Sequence, residues 1–310
     1  MNGLTIRNKE YMTETISADL LGSFTSFIDA RPRTVETYQK AIRQFFKYMA
    51  DNDIRKPSRD NVLNYRELLR TSGYKPGTIT TYIISLRQFF KWTEAEGIYP
   101  DISSNVKGAK IERSHKKDPL TSGQAKALFN DIDKTTLSGS RDFAILALMI
   151  TGGLRTIEVI RANIEDMRTL GDDTVLYIQG KGRDEKSEYV KISTQTEKAI
   201  REYLAKRGKA ASNEPLFASI SNNSKGSRMT TRSISRIVKD RLIDTGLNSE
   251  RLTAHSLRHT AATLNLLNGG TIDETQQLLR HSNINTTMIY AHHLDRAKNN
   301  SEERISEAIF

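Results

Sequence analysis

Four short segments hold the side chains able to do chemistry. They are TGGLRTIE (151–158), with Arg155 and Glu158, GKG (180–182), with Lys181, HSLRHTAAT (255–263), with His255 and Arg258, and HSNINTTMIYAHH (281–293), with His281 and Tyr290. Taken singly, each has an ordinary structural reading. An Arg followed by Glu three residues later is a helix-surface pair. A Lys between glycines is a solvated turn residue, and a Tyr on a helix is packing. Together, and in this order, they supply the parts of a metal-free phosphoryl transfer. Charge that grows on the non-bridging oxygens of a phosphodiester needs fixed cationic donors, and guanidinium meets it bidentately. Arg155 and Arg258 form that pair. Tyr290 offers a hydroxyl nucleophile that would conserve the bond energy in a covalent phosphodiester. Lys181 can protonate the leaving oxygen. His255 and His281 can hydrogen-bond the phosphate or move the tyrosyl proton.

This ordered set resembles the tyrosine recombinase, or phage integrase, family. There the catalytic set runs Arg, Lys, His-x-x-Arg, His or Trp, Tyr, which falls here on Arg155, Lys181, His255, Arg258, His281 and Tyr290. The resemblance implies a site-specific DNA recombinase that cleaves and rejoins strands through a 3′-phosphotyrosyl intermediate, with no cofactor and no metal. It implies double-stranded DNA sites as partner and a homotetramer on two sites, assembled from monomers or dimers at each. Helper proteins are not readable. It also implies that Glu158 buttresses the site without reacting. Two departures stand out. Arg280 occupies a position before the second His that is commonly Gly, and the first motif carries Gly-Gly ahead of Leu-Arg.

The elements that must position these residues follow from periodicity. Val35, Tyr38, Ile42, Phe45, Phe46 and Met49 make one helical stripe. Val62, Tyr65, Leu68 and Leu69 make a second, and Ile79, Tyr82, Ile83, Leu86, Phe89 and Phe90 a third. The stretch 101–119 loses that period and is rich in Lys and Arg, a linker composition. Segment 143–150 is apolar on all sides, so it reads as a buried helix. Segments 174–178 and 188–192 have strand composition around a Gly-rich turn, which predicts a β-hairpin carrying Lys181. Helices are expected over 196–206, 230–242, 256–267, 272–279 and 286–294. The expected fold is mainly α with a small β-sheet (α+β). A helical, SAM-like core-binding domain spans 12–105, a basic linker 106–118, and the catalytic domain with its tail 119–310. So little chain precedes the first stripe that no arm-binding domain is expected. This points to a Xer-like or simple mobile-element integrase.

Composition narrows the partners. The chain has 310 residues, with 47 Lys and Arg against 37 Asp and Glu, a net charge of +10. That balance favours a polyanion. There are no cysteines, which excludes disulfides, thiolate zinc sites and Cys nucleophiles. No signal-peptide core or membrane-length apolar run is present, so a cytoplasmic protein and no membrane partner are expected. Three rival readings stay open: a type IB topoisomerase, a non-catalytic DNA-binding protein, and a metal-dependent nuclease or transposase. The last would need clustered carboxylates, whereas Asp172 and Asp173 look like turn residues. Ile305, Ala308, Ile309 and Phe310 give the final segment an apolar face, to be covered either by its own domain or by a neighbouring protomer.

Overall fold

The computed structural model describes residue 11 and residues 16–110, 117–180, 183–298 and 300–310. The chain divides into two compact units, 1–114 and 115–310.

The first unit is helical: α1 (Leu20–Phe27), α2 (Pro32–Asp51), α3 (Arg59–Thr71) and α4 (Pro76–Ala95). Pro32 and Pro76 open their helices, where a missing N–H costs nothing. The three apolar stripes converge on an aromatic core in which Phe45 meets Tyr65 edge-on at 5.1 Å and Phe24 meets Phe89 at 5.4 Å. Helix α1 was not expected; its eight residues are too few to set up a clear stripe. Arg43, Lys47, Arg87 and Lys91 are exposed. Residues 106–109 belong to this unit: Val106 is fully buried, and the carbonyls of Lys107 and Ala109 accept bonds from Arg66 and Thr80.

The second unit wraps helices around α6 (Leu137–Thr151), whose Ala144–Met149 run is buried and which packs against α8 (Thr194–Arg207) and α10 (Ala254–Leu267). Also present are α5 (Ser122–Asn130), α7 (Thr156–Arg161), α9 (Thr231–Asp244), α11 (Ile272–Leu279), α12 (Asn285–Lys298) and α13 (Ser301–Ile309). The expected hairpin is there as β2 (Asp173–Ile178) and β3 (Glu188–Lys191), paired with Leu176 opposite Val190. A third strand, β1 (Met167–Leu170), extends it to an antiparallel sheet of order β1-β2-β3. Sequence reasoning missed β1 because it is four residues long and largely exposed, so it carries no alternation to read.

The unit is closed at its start. Leu120 donates its N–H to Thr260 on α10 at 2.8 Å, and Asp118 pairs with Arg251 at 2.6 Å. At its end, α13 buries nothing: Ile305 is 59% exposed, Ile309 67%, and Phe310 wholly exposed. The apolar face expected of the tail exists, and its own domain does not cover it.

Candidate active site

The loop between α6 and α7 is built by its glycines. Gly153 has φ +57, and a Cβ there would lie 2.9 Å from the Leu279 side chain. A left-handed, close-packed position of this kind suits only glycine. The turn delivers Arg155 to the N-cap of α7. Glu158, at the third helical position, reaches back and accepts the Arg155 backbone N–H at 2.8 Å and its guanidinium at 2.8 Å. Glu158 has no exposed surface. Burial alone would push its carboxyl up, but Arg280 and the two Arg155 donors hold it below the usual carboxylate range.

Helix α10 places His255 and Arg258 one turn apart. Together with Arg155, they line a cleft of about 660 Å³, which Lys239 of α9 also borders. Arg258 is 2% exposed. Two of its nitrogens donate to the carbonyls of Gly153 and Leu279, so this guanidinium also ties the Gly-Gly loop to the end of α11. Burial, then Arg155 and Arg280, pull its pKa down to about 9, which leaves it cationic at neutral pH.

Helix α11 ends at Arg280, which adopts the left-handed conformation, φ 52 and ψ 49. The turn that glycine would make is therefore kept with a charged residue in it. His281 follows, its Nδ1 2.9 Å from the Thr287 hydroxyl. Burial, then Arg258, Arg155, Arg280 and His255, lower the His281 pKa to about 4. His255 is lowered as well, first by burial and then by Arg258, Arg155 and Lys117, although part of its ring meets solvent. Both imidazoles are neutral at pH 7.

Tyr290, on α12, is 7% exposed and packs with Ala261, Ala262 and Leu279. Its hydroxyl lies 2.6 Å from Nδ1 of His259, whose ring stands edge-on to His255 at 4.5 Å. Burial raises the Tyr290 pKa to about 12, against the pull of Arg258 and Arg155. The ring is directed into the protein and is not part of the cleft lining.

The structure thus gathers Arg155, His255, Arg258, His281 and Tyr290, from three of the four segments, into one electrostatically coupled cluster. Lys181 lies outside the described residues. The other hairpin lysine, Lys186, is held by buried Asp166 at 2.5 Å. Three residues at or beside the cluster escaped sequence reasoning. His259 was hidden beside Arg258, its one signal being the spacing of one helical turn from His255. Lys239 looked like any surface cation. Arg280 stands out in the sequence only as a departure from Gly, whereas its guanidinium reaches Glu158 at 2.9 Å.

Residues 119–297 match the phage integrase family, and residues 28–97 match the phage integrase N-terminal SAM-like domain. The chain belongs to the phage integrase family. It is thereby an enzyme of the tyrosine recombinase class, which cleaves and rejoins DNA strands. It is 30% identical over 276 residues to a tyrosine recombinase of Synechocystis sp., covering 84% of this chain and 86% of that one. A tyrosine recombinase of Synechococcus elongatus is 26% identical, with 84% of each covered. The fold is that of XerH site-specific recombinase bound to palindromic difH substrate in a post-cleavage complex: TM-score 0.73, 22% identity, 93% of this chain and 85% of that one. It is also that of a lambda integrase dimer bound to a COC′ core site: TM-score 0.67, 16% identity, 86% and 95% covered. Among the described residues no helix is long and apolar enough to cross a membrane.

Proposed function

We propose that Arg155, Lys181, His255, Arg258, His281 and Tyr290 carry out site-specific strand exchange on duplex DNA. One observation supports this above the others: Arg155, His255 and Arg258 line a single cationic cleft, with His281 and Tyr290 electrostatically coupled to it. A scissile phosphate sits between the two guanidinium groups. The Tyr290 oxygen bonds to phosphorus as its proton passes to neutral His255 or His281, the bond from phosphorus to the 5′-oxygen breaks, and Lys181 protonates that oxygen. The product is a 3′-phosphotyrosine and a free 5′-hydroxyl. Attack by the 5′-hydroxyl of a partner duplex reverses the chemistry and completes exchange. Four protomers on two sites would perform it, with the helical first unit as a second DNA-binding domain joined through a basic stretch to the catalytic domain, 119–310. A cytoplasmic location fits this role.

In the DNA-free protein the Tyr290 hydroxyl is held by His259, so attack requires α12 to swing or slide until the hydroxyl faces the cleft. The test is to incubate the protein with sheared genomic DNA, quench in SDS and sequence the attached strand. Wild-type protein should yield a covalent adduct at a defined sequence. Tyr290→Phe, which keeps the ring and loses the oxygen, should bind the recovered duplex normally and yield none. Absence of the wild-type adduct, or its formation by the Phe variant, would overturn the assignment. Relaxation of a plasmid lacking the recovered site would favour a topoisomerase instead.

A further inference from the structure

We propose that Arg280 is a positioning residue that fixes Arg155 through Glu158 and thereby sets the rate of strand cleavage. The inference rests on the function proposed above. The backbone makes the first part of the case. Among the described residues only Asp53, Asn105 and Arg280 adopt a positive φ without being glycine. Asp and Asn tolerate that region, but a long side chain does so at a cost. Glycine would end α11 with the same turn and no strain. A strained residue at a site of chemistry points to what its side chain does there.

The side chain makes the second part. The Arg280 guanidinium is 6% exposed and donates from Nη2 to Glu158 at 2.9 Å and to the Gly153 carbonyl at 3.0 Å. From Nη1 it donates to the carbonyls of Gly152 and Leu278. Its Nε is buried with no hydrogen-bond partner. A cation has been placed here despite incomplete satisfaction; it is ion-paired with Glu158, and Glu188 adds a weaker Coulombic pull. The Glu158 oxygen that accepts Arg280 is the same Oε2 that accepts the Arg155 backbone N–H, while Oε1 holds the Arg155 guanidinium. Arg280 therefore adds a third donor to the carboxylate that holds Arg155. Without it, Glu158 is free to tilt, and the Arg155 fork tilts with it. Arg280 also bonds the carbonyls of both glycines in the loop that delivers Arg155. It lines a different opening, with Gln276, Gln277 and His281, and is not part of the cleft where the phosphate is placed. Its effect on the reaction is indirect.

The experiment measures single-turnover adduct formation on a nicked duplex carrying the strand recovered by SDS trapping, beside the affinity for the same duplex. Arg280→Gly removes both the strain and the guanidinium. Misplacement of a catalytic group by about an ångström costs on the order of 10² in rate, so adduct formation should slow by about that factor while affinity changes less than about threefold. Arg280→Lys keeps the strain and a cation able to pair with Glu158. It should recover a substantial part of the loss, which relief of backbone strain alone could not do. Arg280→Gly reacting at the wild-type rate would overturn the inference. So would a loss of affinity as large as the loss of rate, or Arg280→Lys reacting no faster than Arg280→Gly. If wild-type protein forms no adduct, the proposed function fails first, and the inference with it.

Discussion

Glu158→Gln keeps the shape of the side chain and deletes the charge between two arginines. The carboxylate has no exposed surface, and the Arg280 side chain is 6% exposed, so Arg280 is left buried with carbonyl partners only. Breaking a buried ion pair by removing one member costs about 3–5 kcal/mol, because the survivor stays desolvated and uncompensated. For a unit of this size each kcal/mol lowers the melting temperature by about 2–4 °C, giving a fall of roughly 6–20 °C. Neutralising both members, Glu158→Gln with Arg280→Met, removes the stranded charge and should recover at least half of the fall. The folded-state pKa of Glu158 lies below the ordinary carboxylate value. Its contribution is therefore complete above the unfolded pKa of about 4.3 and is lost as pH falls through the folded value. The gap between wild type and Glu158→Gln should be full at pH 7 and shrink below about pH 4. Calorimetry of the full chain reads this directly. The single tryptophan, Trp92, lies in α4 of the first unit, so its fluorescence identifies that unit's transition and leaves the other for the second unit. A fall under about 3 °C at pH 7, or a double variant no more stable than the single one, would refute the clamp of two arginines on one buried carboxylate.

Lys181→Ala should slow cleavage by about 10²–10⁴, the range for a missing general acid. A substrate with sulfur at the 5′-bridging position needs no proton on leaving and should regain most of that rate; no regain would move the role away from Lys181. Deleting residues 303–310 removes the exposed Ile305, Ile309 and Phe310. If that face docks on a neighbouring protomer, half-site binding in a gel-shift titration stays intact while cooperative filling of the second half-site weakens. Unchanged cooperativity with normal recombination would mean the tail does not link protomers.

The legible and illegible parts of this chain divide on physical grounds. Stripes such as Ile79, Tyr82, Ile83 and Leu86 announce a helix because one buried face repeats every turn, and α4 follows. Strand β1 and helix α1 are too short to repeat anything. The six candidate site residues could be picked out because they occur as motifs in a fixed order. Illegible were the contacts that join motifs across the fold. Arg280 meets Glu158 from 122 positions away, and Tyr290 meets His259 from 31. Neither contact leaves a local pattern. The sequence assigns Arg258 to the phosphate, but only the fold shows that two of its nitrogens are also bound to backbone carbonyls. The left-handed turn at Arg280 looked like a misfit with Gly-based expectation, and it became intelligible once its guanidinium was seen beside a buried carboxylate.

The charges of the resting site bear on how Tyr290 is activated. Its pKa near 12 is about two units above an ordinary phenol, a penalty of roughly 3 kcal/mol for ionising it. Arg155 and Arg258 oppose that penalty only while their field is uncompensated. A phosphate bound between them brings negative charge, cancels much of that field and raises the phenol further. Under the proposed mechanism the arginines alone therefore do not supply a phenolate, and the proton passes to a neutral base. The same cations that depress His255 and His281 keep both imidazoles unprotonated before DNA arrives. In the proposed mechanism a bound phosphate offsets part of that positive field and raises their basicity when a proton acceptor is needed. The Tyr290 hydroxyl lies 2.6 Å from His259, a contact that the proposed attack would have to break.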